Sequence, residues 1–342
     1  MPFGIAGGAQ PMANNVLVTI ELADGTRGYG EAAPLPPYNG ETQADAIAAL
    51  ESARSWLIGL EAREWRQRGA EFRVRRTVKS GSAQCALEMA LLDAWTKHDK
   101  VPLWKFFGGR GTELETDMTV TTGTPEQAAS DARDILARRI RMIKVKVGGK
   151  GGAAHDLARL LAIHEVAPES PLILDGNAGV SRAAANELVR GLKKHGIVPA
   201  LLEQWLAKDD LDGMRALHEE SGWVVAADES VTSRADAERV VATRAAQVIN
   251  IKLMKDGLAT ALDIVRVAHA NKLGLMIGGN VESILAMTTS ACFAAGAGGF
   301  TFADLDTPLF LATNPFEGGY ALDGGKISVA HIAAGHGVVP KV

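Results

Sequence analysis

IKVKVGGKGGAAHDLARLLAIHEVAPESPLILDGN, residues 143–177, holds two short apolar runs separated by a helical segment. The same alternation continues on both sides, through MTVTT (118–122), ALLEQ (200–204), VVAADES (224–230), VINIK (248–252), LGLMIGG (273–279) and FTFADLD (300–306). Strands alternating with helices at this spacing mark parallel βα units, and eight of them predict a sheet closed into a barrel.

Outside the barrel the pattern changes. Residues Val16 to Ile20 and Arg27 to Glu31 predict two strands around the Asp24-Gly25 turn. Between Gln84 and His98, Leu87, Ala90, Leu91, Ala94 and Trp95 recur at helical spacing. The expected division is an α+β domain over 1–112, a barrel over 113–310 and a C-terminal segment over 311–342 that returns to the first domain. Pro308 and the pairs Gly318-Gly319 and Gly324-Gly325 break up that last segment.

Composition narrows the function classes. Apolar residues at 47% and charged residues at 22% suit a globular protein with a sizeable core. The net charge of -4 arises from 36 basic and 40 acidic residues spread along the chain, so neither nucleic acid nor an anionic membrane is an expected partner. Cys85 and Cys292 lie in apolar helical patterns without metal-ligand spacing, which fits a reducing cytoplasm. No export signal or membrane-length apolar run is apparent. A small-molecule partner is expected, and homo-oligomers are common among such barrels.

Charged residues close the strands: Lys144 and Lys146, Asp175, Glu203, Asp228, Lys252, then Asp304 and Asp306. Successive spacings from Lys146 are 29, 28, 25 and 24 residues, about one βα unit each. The groups therefore converge on the C-terminal rim, where barrel enzymes build their sites. Asp175, Glu203 and Asp228 on neighbouring strands offer hard oxygen ligands suited to Mg²⁺. Helix capping explains any one of these acids, but three in register favour a metal.

In Ile143 to Val147 the aliphatics face the helices and both lysines face the barrel mouth. Two ammonium groups ~4 Å apart repel by ~4 kcal/mol at an effective dielectric near 20, which predicts that one lysine becomes a usable base. Lys252, four strands on, stands across the barrel from Lys146. A base on each face of an α-carbon, beside a cation, permits racemisation or epimerisation. Asp304 and Asp306 share inward parity, away from most of the metal ligands, and suit a cationic group such as an ammonium. Asp306-Thr307-Pro308 also reads as a helix N-cap. Thr119 and Thr121 share inward parity on the first strand.

The runs KVK (144–146), DGN (175–177), LEQ (202–204), ADES (227–230) and NIK (250–252) resemble the muconate-lactonising subgroup of the enolase superfamily. That resemblance implies a modified (β/α)₇β barrel of α/β class with an α+β capping domain, and lysine acid/bases acting with Mg²⁺. IKLMKDG (251–257), VES (281–283) and DLDTPLFL (304–311) look like the dipeptide epimerases of that subgroup. The resemblance implies acid/base roles for Lys146 and Lys252, with Lys144 assisting and touching substrate. It assigns Asp175, Glu203 and Asp228 to Mg²⁺, and Asp304, Asp306 and Thr119 to a dipeptide.

It also implies that Phe3 to Gln10 and Pro36 to Thr42 form specificity loops. Three features depart from the family pattern: a start at PFGIAGG, where relatives have completed a first strand; Trp205 in place of proline, expected at a pocket wall; and Asn280 in place of methionine. Within the subgroup, N-acylamino acid racemases, o-succinylbenzoate synthases and muconate cycloisomerases carry the same lysine and metal set. A Schiff-base aldolase using Lys252 and a non-catalytic binding role are the more distant alternatives.

Overall fold

The structure, a computed structural model, describes residues 3–5, 8–10 and 12–341. The chain opens with a two-stranded antiparallel pair, β1 (Phe3–Ile5) and β2 (Gly8–Gln10). The loop expected there is thus largely paired backbone; Ala6 and Gly7 lie outside the described residues. The predicted hairpin follows as β3 (Val16–Glu21) and β4 (Arg27–Ala32), with Gly25 at φ +85° in its turn. Helices α1 (Pro36–Asn39), α2 (Gln43–Glu51), α3 (Arg54–Leu57), α4 (Trp65–Arg75), α5 (Gly81–His98) and α6 (Leu103–Phe106) complete the cap.

A short strand β5 (Glu113–Glu115) leads into the barrel. Its strands and helices alternate: β6 (Met118–Val120), α7 (Pro125–Ala137), β7 (Ile143–Lys146), α8 (Gly152–Val166), β8 (Leu172–Asp175), α9 (Arg182–Lys194), β9 (Leu201–Glu203) and α10 (Leu211–Ser221). There follow β10 (Val225–Ala227), α11 (Arg234–Thr243), β11 (Val248–Lys252), α12 (Gly257–Ala270), β12 (Gly274–Gly278), α13 (Ile284–Ala297) and β13 (Phe300–Ala303). Hydroxyl side chains at Thr124, Ser181, Ser233 and Ser283 cap helices α7, α9, α11 and α13, so the loops into these four helices start them with a paired amide.

Strands β6 to β13 form one parallel sheet in sequence order. Its two ends meet through a parallel bridge between Thr116 and Ala303 and the Asp117 amide bonded to the Ala303 carbonyl at 2.9 Å. A 3₁₀ turn, Thr307–Leu309, replaces an eighth helix, giving the (β/α)₇β form. Ile173, Leu201, Ala226, Val248 and Met276 fill the barrel interior, with Phe302 against them. They sit two residues before Asp175, Glu203, Asp228, Asn250, Gly278 and Asp304, respectively, so the polar rim rests on a dry apolar layer.

The remaining strands are β14 (Phe316–Gly318), β15 (Ala321–Asp323), β16 (Lys326–Ser328) and β17 (Val338–Pro340). β16 pairs with β5 below the barrel, while the buried His336 lies 3.2 Å from Asp93 of α5. The C-terminal segment therefore touches both barrel and cap. Glu31 of β4 ties the cap to the barrel from the other side: it accepts from the Ser283 amide at 3.0 Å and the Ala286 amide at 3.2 Å, at the start of α13.

Candidate active site

Strand register brings the charged residues level. Lys146 pairs with Asp175 across β7 and β8, and Asp175 with Glu203 across β8 and β9. Asp228 follows the end of β10, and Lys252 ends β11. Lys144 Nζ lies 2.6 Å from Asp304, 2.8 Å from Glu203 and 3.0 Å from Asp175. Lys146 Nζ donates to Asp175 at 2.6 Å, while Lys252 Nζ lies 2.8 Å from Asp228. The two lysines of the proposed base pair thus hold opposite ends of the carboxylate row.

Electrostatics follow from this crowding. Burial would lower the Lys144 value, but Asp175, Asp304 and Glu203 outweigh it and hold the ammonium well above its usual range. Lys252 is raised in the same way, with Asp228 the main opponent of burial. Of the two lysines expected to yield one base, Lys144 is the one held as an ammonium, because the carboxylates around it outweigh burial. Asp175 and Asp228 are held low because lysines overcome the effect of burial. Glu203, in the middle of the row, is pushed up to about 7 by burial and then by Asp175.

Asp304 and Asp306 stand elsewhere than the strand count implied. Closure of the barrel sets β13 beside β6 and near β7, so Asp304 shares Lys144 with Asp175 and Glu203 instead of lying apart from them. The Asp306 side chain caps no helix; its Oδ2 accepts from the Thr119 amide at 2.7 Å. With Asp117, which sequence reasoning missed, these residues form a buried triad whose oxygens lie within 4.8 Å of one another. Asp117 has both oxygens without a hydrogen-bond partner, and burial followed by Asp304 raises it well above the carboxylate range. Its signal was available, since it shares inward parity with Thr119.

Other supports were also missed. Asn250 donates from Nδ2 to Glu203 Oε1 at 2.7 Å, and it shares parity with Lys252 in VINIK. Gln204 accepts the Asp228 amide at 2.9 Å. Lys255 Nζ lies 2.7 Å from Asp228 Oδ1 and donates to the Asp228 carbonyl at 2.6 Å. Trp205 lines no pocket wall: it is buried in the core, and its indole donates to the Leu174 carbonyl at 2.8 Å. Asn280 instead faces the cap, donating to the Ala33 carbonyl at 2.9 Å.

Two acidic groupings can attract a cation. Asp175, Glu203 and Asp228 supply only hard oxygens from adjacent strands, and the buried Glu203 Oε2 and Asp228 Oδ2 meet ammonium charge without a well-directed hydrogen bond. A single positive centre, Lys144 Nζ, already bridges Asp175 and Glu203. This donor set fits Mg²⁺. Asp117, Asp304 and Asp306 are the tighter triad, but Lys144 and the Thr119 amide already engage two of them. That mixed environment suits an organic ammonium better than a desolvated divalent ion.

Comparison with known proteins agrees with this architecture. Residues 127–341 match the family described as enolase C-terminal domain-like, and residues 1–108 match the mandelate racemase/muconate lactonizing enzyme N-terminal domain. A Herpetosiphon aurantiacus protein named aromatic dipeptide epimerase is 51% identical, the match covering 98% of this chain and 94% of the relative. The crystal structure of a mandelate racemase/muconate lactonizing enzyme from Roseiflexus sp. superposes with a TM-score of 0.94 at 52% identity, over 100% of this chain and 96% of the other. A Cytophaga hutchinsonii dipeptide epimerase, complexed with Mg and D-Ala-L-Val, superposes with a TM-score of 0.93 at 30% identity, over 100% and 92% of the two chains.

Proposed function

The chain belongs to the mandelate racemase/muconate lactonizing enzyme family of the enolase superfamily, and from that premise we propose that it is a Mg²⁺-dependent dipeptide epimerase. The observation that carries the proposal is the pair Lys146 and Lys252, set on β7 and β11 at the two ends of one carboxylate row. Asp175, Glu203 and Asp228 would hold the metal, which would supply Lewis-acid stabilisation for charge on the substrate carboxylate. The lysine on one face removes the α-proton of the dipeptide's C-terminal residue, and the lysine on the other returns a proton to the opposite face. Lys144 holds the substrate end of the row and keeps Asp304 in place. Asp304 and Asp306, with Thr119 behind them, receive the dipeptide's α-ammonium.

The acidic triad distinguishes this function from the N-acylamino acid alternative. An acylated nitrogen carries no positive charge and no ammonium N–H groups to pair with the Asp304 and Asp306 carboxylates. A Schiff-base aldolase needs no metal, whereas Lys252 stands beside a carboxylate row, Asp175, Glu203 and Asp228, whose hard oxygens fit Mg²⁺. The name of the Herpetosiphon aurantiacus relative supports an aromatic side chain in the substrate. The proposal extends to a cytoplasmic enzyme, consistent with the buried free thiols Cys85 and Cys292, and to self-association.

Chiral chromatography of an L,L-dipeptide with an aromatic C-terminal residue tests the assignment. We expect conversion to the L,D form with Mg²⁺, and its loss by at least about 10³-fold in Lys146→Ala and Lys252→Ala. Full conversion by either variant contradicts the two-base assignment.

A further inference from the structure

Helix α1 carries Tyr38 from the cap to the barrel mouth. Its ring centroid lies 4.8 Å from Lys252 Nζ, and its hydroxyl donates to Asp228 Oδ1 at 3.4 Å. One cap residue therefore touches both members of the Lys252 and Asp228 ion pair. Among the described residues, no other lysine of the site has an aromatic ring over it.

The loop that presents Tyr38 is anchored. The Glu41 carboxylate is buried at the start of α5, where it accepts from the Ser80 and Ser82 hydroxyls and from the Ser82 amide at 3.3 Å. The Glu41 amide in turn donates to Asn39 Oδ1 at 3.0 Å. The same end of α5 presses on the turn after β11: a Cβ at Gly81 would lie 2.1 Å from the Lys255 carbonyl oxygen. One helix end is thus the footing for both the Tyr38 loop and the strand that carries Lys252.

We propose that Tyr38 is a positioning residue for Lys252, its ring walling one side of the ammonium and its hydroxyl steadying Asp228. This inference rests on the two-base function above and deepens it: the cap acts on one of the two bases and leaves the other to the barrel. A change at Tyr38 therefore affects one direction of proton removal more than the other, which a general structural role does not do.

The test follows Cα deuterium exchange in D₂O with Mg²⁺, starting separately from each stereoisomer of one dipeptide substrate. The isomer served by Lys252 is the one that still exchanges in Lys146→Ala and stops in Lys252→Ala. In Tyr38→Leu we expect exchange from that isomer to fall roughly tenfold to a hundredfold, mainly in kcat, with less than about a threefold change for the other. Tyr38→Phe keeps the ring and restores most of the rate. Glu41→Gln, which loosens the loop and leaves Tyr38 in place, gives the same asymmetry at smaller size. Equal losses for both isomers, or no loss for either, overturn the inference. Absence of exchange in the wild-type enzyme overturns the function itself and the inference with it.

Discussion

Asn250 shows how a neutral side chain sets the behaviour of a charged one. Its amide donates to Glu203 Oε1, the central carboxylate of the row, and its own β11 parity places it one step below Lys252. Groups that orient a metal ligand typically matter to affinity about as much as 10–100-fold. Asn250→Leu should therefore raise the Mg²⁺ concentration needed for half-maximal activity by roughly tenfold or more, with the thermal midpoint little changed. A magnesium titration of the initial rate checks this. At this scale the sequence was legible wherever a charged residue closed an apolar run, as with Lys146, Asp175 and Lys252. The resemblance placed Tyr38 in a cap loop, Pro36 to Thr42, but not against Asp228 and Lys252, since those contacts span some two hundred residues and leave no local pattern.

The cap hairpin lies on α5 at a separation that only glycine permits. A Cβ on Gly30 would meet the Ala86 carbonyl oxygen at 2.0 Å, and one on Gly28 would meet the Ala90 carbonyl oxygen at 2.2 Å. Both obstacles are helix backbone and cannot step aside. Gly30→Ala should cost about 3 kcal/mol in denaturant unfolding, more than a surface Gly→Ala change. On another face of α5, Glu88 accepts the Ala259 amide of α12 at 2.9 Å, and burial pushes its carboxyl up to about 7 from 4.5. The folded state then binds the proton more tightly, so this contribution to stability is complete below pH 4.5 and is lost as pH rises through 7. Unfolding at pH 5 and pH 8 should show Glu88→Gln losing less stability across that interval than wild type, by on the order of 1–3 kcal/mol. Elements with strong local periodicity were legible, including α5 and the eight barrel strands. The three-residue strands β5, β14 and β17 were not, because each pairs with a distant segment, as Glu113–Glu115 does with Lys326–Ser328; β15 and β16 form a hairpin too short to show a period.

Across the whole molecule, an apolar layer inside the barrel supports a polar rim, and the cap covers that rim. The apolar layer keeps water from below, which strengthens every ion pair above it. Closure was legible in the eight alternating units, but its consequence for Asp304 was not: β13 returns beside β6 and so sets Asp304 next to Lys144. Because the carboxylates proposed to hold Mg²⁺ come from three strands, metal binding should stabilise the barrel as a unit. At a hundred times its Kd, Mg²⁺ should add ~2.7 kcal/mol to unfolding, reversed by EDTA and absent in Glu203→Gln; chemical denaturation with and without the metal checks this. The central claim is that two lysines on opposite faces exchange the α-proton of a dipeptide. Its most direct test is incubation with Mg²⁺ in D₂O and a pooled set of L,L-dipeptides, read by mass spectrometry with and without EDTA. The account predicts a metal-dependent gain of one deuterium at the C-terminal Cα of particular dipeptides, whereas no deuterium uptake by any dipeptide would contradict it.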